Sequence, residues 1–403
     1  MRRDNGATYL FAASIFFFSL NAFSIRATFG AYLFICILAF ARAPTLLSQQ
    51  RGAFQVSIYW LLSVSITFIL SAFGDFYVNF YLKFIMIQTY IALIYVMFSC
   101  GVLELKTIEK ACAALIYIHA AFFIFQLSYY LAAGTFVDFD SYVREADSQA
   151  LYATKALSDS LISIRALGLY SEPSFYAMTV VPAGVFLLLS KRRFTLASIV
   201  AFSTALLSLS IASIIVCGLI VVVHLMLGQS SKRVKLLIVT AALLCTPTMY
   251  DVYDKRVNQS IDYDAAGSRT LILSELKDRD TLSGLVGSGL FWDERNNVGR
   301  THLRGYQVRD SSFYIYLLFG SGVTGTTIFF GALFVVFRKR GQRRYLFYLF
   351  PILLFKFHAL YGMLWLTLLM FVILADRVPF ESNGHGSSHR IPNYGHDGVP
   401  VNS

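Results

Sequence analysis

Apolar residues in this chain gather into long runs, such as YLFAASIFFFSL at 9–20 and SIIVCGLIVVVHLML at 213–227. A helix that crosses a bilayer needs about 20 such residues, with about 17 as a lower bound. On that measure the sequence predicts helices over 8–24, 27–41, 54–73, 82–102, 111–133, 173–190, 194–208, 210–228, 236–250, 312–337, 345–358 and 360–376. The stretch 194–228 reads as one helix or as two. A single helix there, rising about 1.5 Å per residue, would overshoot the bilayer, so the division falls at SLS, 208–210.

Basic residues test this division, because cytoplasmic loops carry an excess of Lys and Arg. With the N-terminus inside, the inner loops hold Arg42 and Arg51, Lys106 and Lys110, Lys191 to Arg193, Lys232, Arg233 and Lys235, and Arg338 to Arg344. The short outer links hold only Arg26, Lys83 and Lys356. Merging 194–228 would break that agreement. The expected fold is an all-α polytopic membrane protein of about twelve helices with both termini inside. Residues 1–378 form a single transmembrane domain. The tail 379–403, rich in Gly, Ser, Asn and His, reads as disordered and cytoplasmic. Two long polar loops, about 134–172 and 251–311, fall on the periplasmic side of a bacterial inner membrane.

Composition agrees. The chain has 403 residues, 57% hydrophobic and 14% charged, where a soluble domain carries about 45–50% apolar and about 25% charged residues. The net charge of +11 raises nucleic-acid binding, but the basic residues sit in short clusters between apolar runs, as topology signals do. The five cysteines lie in or beside apolar runs without C-x-x-C spacing, so they read as small buried hydrophobes. Arg2 and Arg3 precede a first, uncleaved span.

Three blocks carry candidate chemistry. In RALGLYSEPSFYA, 165–177, Pro173 suits the first turn of a helix and Ser171 its N-cap. Glu172 then either caps the positive helix end or accepts a proton from a sugar hydroxyl beside the phosphate-holding Arg165. In AAGSRTLILSELKDRDTLSGLVGSGL, 265–290, Arg269 opens an amphipathic segment, and Gly284, Gly287 and Gly289 form a flexible stretch. In RDSSFYIYLLFGSGVTG, 309–325, Arg309 and Asp310 stand where a span begins, and Gly320, Gly322 and Gly325 permit close packing inside it. The outer loops also hold Arg300, Arg304 and His302. Arginine-rich surface suits an anionic ligand, because guanidinium forks match phosphate oxygens, although anionic lipid headgroups would serve as well. DFD at 138–140, His119, His224 and His358 read as structural. No P-loop or H-E-x-x-H is present.

These blocks, in this order, resemble the bacterial O-antigen and exopolysaccharide polymerases, the Wzy-like family. The matching positions are Arg165, Gly168, Glu172, Pro173 and Ser174; Arg269, Gly287 and Gly289; and Asp310 and Ser311. The resemblance spans roughly 160–330 and the overall topology. It implies a GT-C-like, metal-independent glycosyltransferase without cofactor. That enzyme joins undecaprenyl-diphosphate-linked oligosaccharides at the periplasmic face, with membrane lipid and a chain-length regulator as partners and no nucleic acid. Implied roles are phosphate clamps for Arg165 and Arg269, with Arg300, Arg304 and Arg309 in reserve. Glu172 is the implied proton acceptor, then Asp310 and His302. O-antigen ligases resemble the chain in topology but carry His where it has Asp310 and Asn-Pro-Asn where it has Glu172-Pro173-Ser174. A ligase and a lipid-linked sugar flippase remain the alternative readings. Repeated halves and broken helices, common in transporters, are not evident in the sequence.

Overall fold

The computed structural model describes residues 5–48, 50–72, 74, 76–144, 165–227, 265–292, 297–298, 303–304, 308–339 and 342–377, with isolated positions between 228 and 264. The expected span 236–250 and the tail 379–403 fall outside these residues, except for isolated positions in the former. So do most of the two outer loops' centres.

The chain is built almost wholly of helices. In order they are α1 (Asn5–Ser19), α2 (Ile25–Ala41), α3 (Ala43–Ser48), α4 (Gln50–Ser71), α5 (Val78–Ser99), α6 (Leu105–Ala133), α7 (Asp140–Val143), α8 (Pro173–Lys191), α9 (Leu196–Leu207) and α10 (Ile211–Leu227). Then come α11 (Ala265–Lys277), α12 (Thr281–Val286), α13 (Phe313–Val336), α14 (Arg343–Ile352) and α15 (Gly362–Arg377). Before α13, strands β1 (Asn297–Val298) and β2 (Leu303–Arg304) pair antiparallel. Among the described residues, four helices are long and apolar enough to cross a membrane: α5, α6, α8 and α13. Shorter apolar helices accompany them.

Local chemistry sets the helix ends. The Ser24 side chain accepts from the Ala27 amide and starts α2. Thr195 and Ser198 form a reciprocal capping box at the start of α9. α6 ends at Gly134, whose φ of 67° suits a residue without Cβ. The chain breaks between α9 and α10 at the SLS segment, where Leu209 takes φ 51°. α14 ends at Ile352, short of the expected 358. The Leu353 amide still reaches the Leu349 carbonyl, after which the Leu354 and Phe355 amides turn tightly onto Pro351 and Ile352, and the Phe355 carbonyl accepts from the Phe313 amide at the start of α13.

α8 is the hub. Its residues from Pro173 to Leu189 are buried almost without interruption, and it packs against α6, α9, α10, α14 and α15. α6 and α8 run antiparallel. Lys191, at the end of α8, is ion-paired with Glu109 near the start of α6, while Gln126 near the other end of α6 reaches the segment before α8. Nineteen residues of α8 separate Glu172 from that Glu109–Lys191 end, a rise of about 28 Å.

Outer faces are apolar. On α2, Phe29, Leu33, Ile37 and Phe40 form one exposed stripe at helical spacing, and α6 exposes Tyr117, Ile118, Ile124, Phe125 and Leu131. Contiguous exposed apolar surface of this extent is costly in water and neutral in lipid. Together with the four long apolar helices it marks a membrane protein.

Candidate active site

The segment leading into α8 is held from α6. Gln126 Oε1 accepts from the amides of Leu167 and Gly168 at 2.6 and 3.0 Å, and its Nε2 donates to the Val137 carbonyl at 2.7 Å. Gly168 has φ 61° and sits beside the Tyr176 ring and the α6 backbone, so the turn needs a residue without Cβ. The turn brings Arg165 into the interior, where it is 5% exposed, and delivers the chain to Glu172.

Glu172, not Ser171, is the N-cap of α8, with Pro173 at the first helical position. Its side chain makes no capping hydrogen bond. The helix-capping role that the sequence left open is therefore not where the carboxylate is used. Instead Glu172 Oε2 accepts from the Ser174 hydroxyl at 3.1 Å and from the Lys356 ammonium. Lys356 also donates to Asp310 Oδ1 at 3.1 Å and lies 4.4 Å from the centre of the Phe175 ring. Three separate parts of the chain thus meet on one ammonium: the start of α8, the turn before α13 and the α14–α15 link.

The electrostatics follow from this arrangement. Burial opposes ionisation of Glu172, but Lys356, the Ser174 hydroxyl and Arg165 together hold its carboxyl below the usual carboxylate range. Burial likewise opposes a charge on Lys356, and Asp310 and Glu172 outweigh it, so the ammonium binds its proton more tightly than usual. Glu172 and Lys356 are therefore both charged at neutral pH. His358 differs: burial, then Arg309, Lys83 and Lys356, push its pKa well below the ordinary value. It is a neutral imidazole and a weak proton acceptor, and its buried Nδ1 has no hydrogen-bond partner among the described residues.

Other predicted residues fall as follows. Arg309 is buried, donates through Nη2 to the Trp292 carbonyl at 2.6 Å and stacks on Phe80. It fixes the loop before α13 as well as adding charge near His358. Arg269 lies on α11 and Arg304 on β2, with side chains outside the described set, and Arg300 and His302 lie outside it altogether. Within the 284–289 glycine stretch, Gly287 packs against the α13 backbone at Gly320 and Gly322, while Gly284 has open space around it. Gly287 and Gly289 take positive φ, and the Ser288 amide donates to Phe319 of α13. Arg279, one of the basic residues of the second outer loop, holds this segment by donating to the Phe319 carbonyl at 2.9 Å and to Ser288 Oγ at 2.8 Å. Asp140 of the DFD motif pairs with Arg144 one helical turn on. Among the described residues no three His, Cys, Asp or Glu side chains converge as a metal site would require.

Lys356 is the member that sequence reasoning missed. It was counted as a minor basic residue of an outer link. The available signal was its position inside the apolar run LLFKFHALYG, since an ionisable residue within such a run has a partner or a function.

The fold and this cluster define a helical membrane protein with a partly buried ion triad at one end of its central helix. No family model, curated protein or solved structure matches the chain.

Proposed function

We propose that the protein is a polymerase of lipid-linked sugar repeats, acting at the periplasmic face of the bacterial inner membrane. One observation carries the reading. Glu172 and Asp310, the acidic residues of two separate polymerase-like sequence blocks, share the Lys356 ammonium. Arg165 of the first block lies close enough to act on Glu172. Carboxylates beside buried cations suit a transfer in which a hydroxyl loses a proton while a diphosphate departs.

In this reading the acceptor sugar hydroxyl hydrogen-bonds to Glu172. Its oxygen attacks the anomeric carbon of the donor, and the bond from that carbon to the lipid diphosphate breaks. The diphosphate leaves with the electron pair, and the hydroxyl proton passes to the Glu172 carboxylate. Arg165, with Arg269 on α11, supplies positive charge to the departing oxygens. Asp310 orients the acceptor. About twelve spans, with both termini inside and the two polar loops outside, are part of the same proposal. The basic residues Lys106, Lys110 and Lys191 to Arg193 support that orientation. They cluster around the Glu109–Lys191 end, about 28 Å from Glu172.

A second reading has its own support. α13 contains a non-helical residue at Gly322, so it is broken where the sequence suggested a continuous span. Broken helices are a transporter feature. The glycan pattern of a deletion strain separates the readings. Polymer lost, with a single repeat retained at the outer face, supports the polymerase. Polymer retained on the diphosphate lipid indicates a ligase, and repeats trapped at the inner face indicate a flippase.

A further inference from the structure

The cluster raises a chemical difficulty that also indicates its resolution. A carboxylate paired with a close ammonium is a poor proton acceptor, since the pairing favours its ionised form. Glu172 is so paired, and its other facing groups, Ser174 and Arg165, act in the same direction. Glu172 becomes a better base only when a cation leaves it.

Lys356 is the cation built to leave. Its ammonium has three protons, and it spends them on Glu172, on Asp310 and against the Phe175 ring. It sits on a flexible four-carbon stem, whereas Arg309 is fixed by its planar fork to a backbone carbonyl and by stacking to Phe80. The stem rises from the short non-helical link between Pro351 and Gly362, anchored by the Phe313 amide on the Phe355 carbonyl. In the resting protein Lys356 is shared between Glu172 and Asp310, and Arg165 acts on Glu172 as well. Arrival of a multiply charged anion adds a competitor for that ammonium on a side already positive through Arg309 and Lys83, and the neighbouring His358 is held neutral.

We propose that Lys356 is an exchangeable counter-ion that masks Glu172 in the resting protein and transfers to the incoming diphosphate, so that Glu172 becomes a competent base only when a donor is bound. This rests on the polymerase reading for its biological meaning. As the anomeric carbon–oxygen bond breaks, negative charge grows on the diphosphate and draws Lys356 further. Proton affinity at Glu172 then rises as the acceptor hydroxyl gives up its proton. The device suppresses hydrolysis and idle turnover without a donor, because the base is not available to water.

The test uses inorganic diphosphate as the probe and purified full-length protein in lipid nanodiscs. The Glu172 carboxylate is followed by difference infrared titration, wild type minus Glu172→Gln. Saturating diphosphate is expected to raise the Glu172 midpoint by about one to three pH units, the size of a lost close counter-ion. In Lys356→Met the midpoint should already be high and insensitive to diphosphate. In Lys356→Arg it should stay low and respond less than wild type, because the fork holds the carboxylate. Should Lys356→Met fail to fold, the wild-type titration decides alone. An unmoved wild-type midpoint, or no diphosphate binding by calorimetry, overturns the exchange. So does an equal diphosphate response in Lys356→Met. The polymerase reading is judged separately, by whether wild-type protein joins lipid-linked repeats, so the two can fail independently.

Discussion

Glu172 illustrates how a single side chain is assigned by what it does not bind. A helix-end carboxylate that capped α8 would contribute about 0.3–1 kcal/mol through the helix dipole and have no further role. Here the side chain turns away from the α8 amides and toward Lys356. The pH dependence of stability should report this contact. Glu172 has a depressed pKa in the folded state. Its contribution is therefore present above the unfolded value of about 4.3 and is lost as pH falls through the lower folded value. Glu172→Gln is expected to lower stability at pH 7 by roughly 1.5–3 kcal/mol, the range for a hydrogen bond to a charged group. That deficit should shrink toward zero in strong acid. Thermal unfolding of both proteins across pH checks it, and a deficit independent of pH contradicts the ion pair. Glu172, Arg165 and Asp310 were legible in the sequence because polar residues at the edges of apolar runs stand out. Lys356 was not, because its partners lie far away in sequence and only the fold brings them together.

At the level of elements, the ends of α8 and α13 were legible to within a residue, α5 and α6 begin 4 and 6 residues before the expected spans, and the breaks were only partly legible. SLS at 208–210 was visible because one helix over 194–228 would be too long for a bilayer. The break at Gly322 was not, since glycines inside a span fit equally well with straight helix packing. Its cause is tertiary. The end of α12 and the loop after it press their backbone against α13, so that a Cβ at Gly322 would overlap the backbone of Leu285. Gly322 also takes φ 61°. With ψ of -167° this is a region essentially confined to glycine, so Gly322→Ala should cost about 1–3 kcal/mol from backbone conformation alone, with the steric conflict in addition. Gly331, in the same helix, has open space around its Cβ position, and Gly331→Ala should be neutral or mildly stabilising. Denaturation in mild detergent, comparing the two variants, checks the pair. Equal behaviour of the two contradicts the packing account of α13. The early end of α14 was half legible: Pro351 was in view, but the apolar residues after it continued the run and hid the link that carries Lys356 and His358.

For the whole molecule, the central proposal links orientation to chemistry. The Glu172 cluster and the Glu109–Lys191 pair lie at opposite ends of α8, so labelling one end constrains the other. Tyr142, in α7, is 87% exposed, and Lys339 is exposed after α13. Gln342, by contrast, is buried and donates to the Ala375 carbonyl, so it is a poor reporter. In intact spheroplasts, Tyr142→Cys should react with an impermeant maleimide while Lys339→Cys should not; the reverse pattern contradicts a periplasmic site. The most direct measurement is reconstitution. Purified wild-type protein in liposomes, given lipid-linked repeats alone, is expected to lengthen them and release the lipid diphosphate. Glu172→Gln, normalised to folded protein, should fall on the order of a hundredfold or more, the contribution of a positioned proton acceptor. Wild-type protein that forms no polymer, or Glu172→Gln that polymerises at the wild-type rate, contradicts the account.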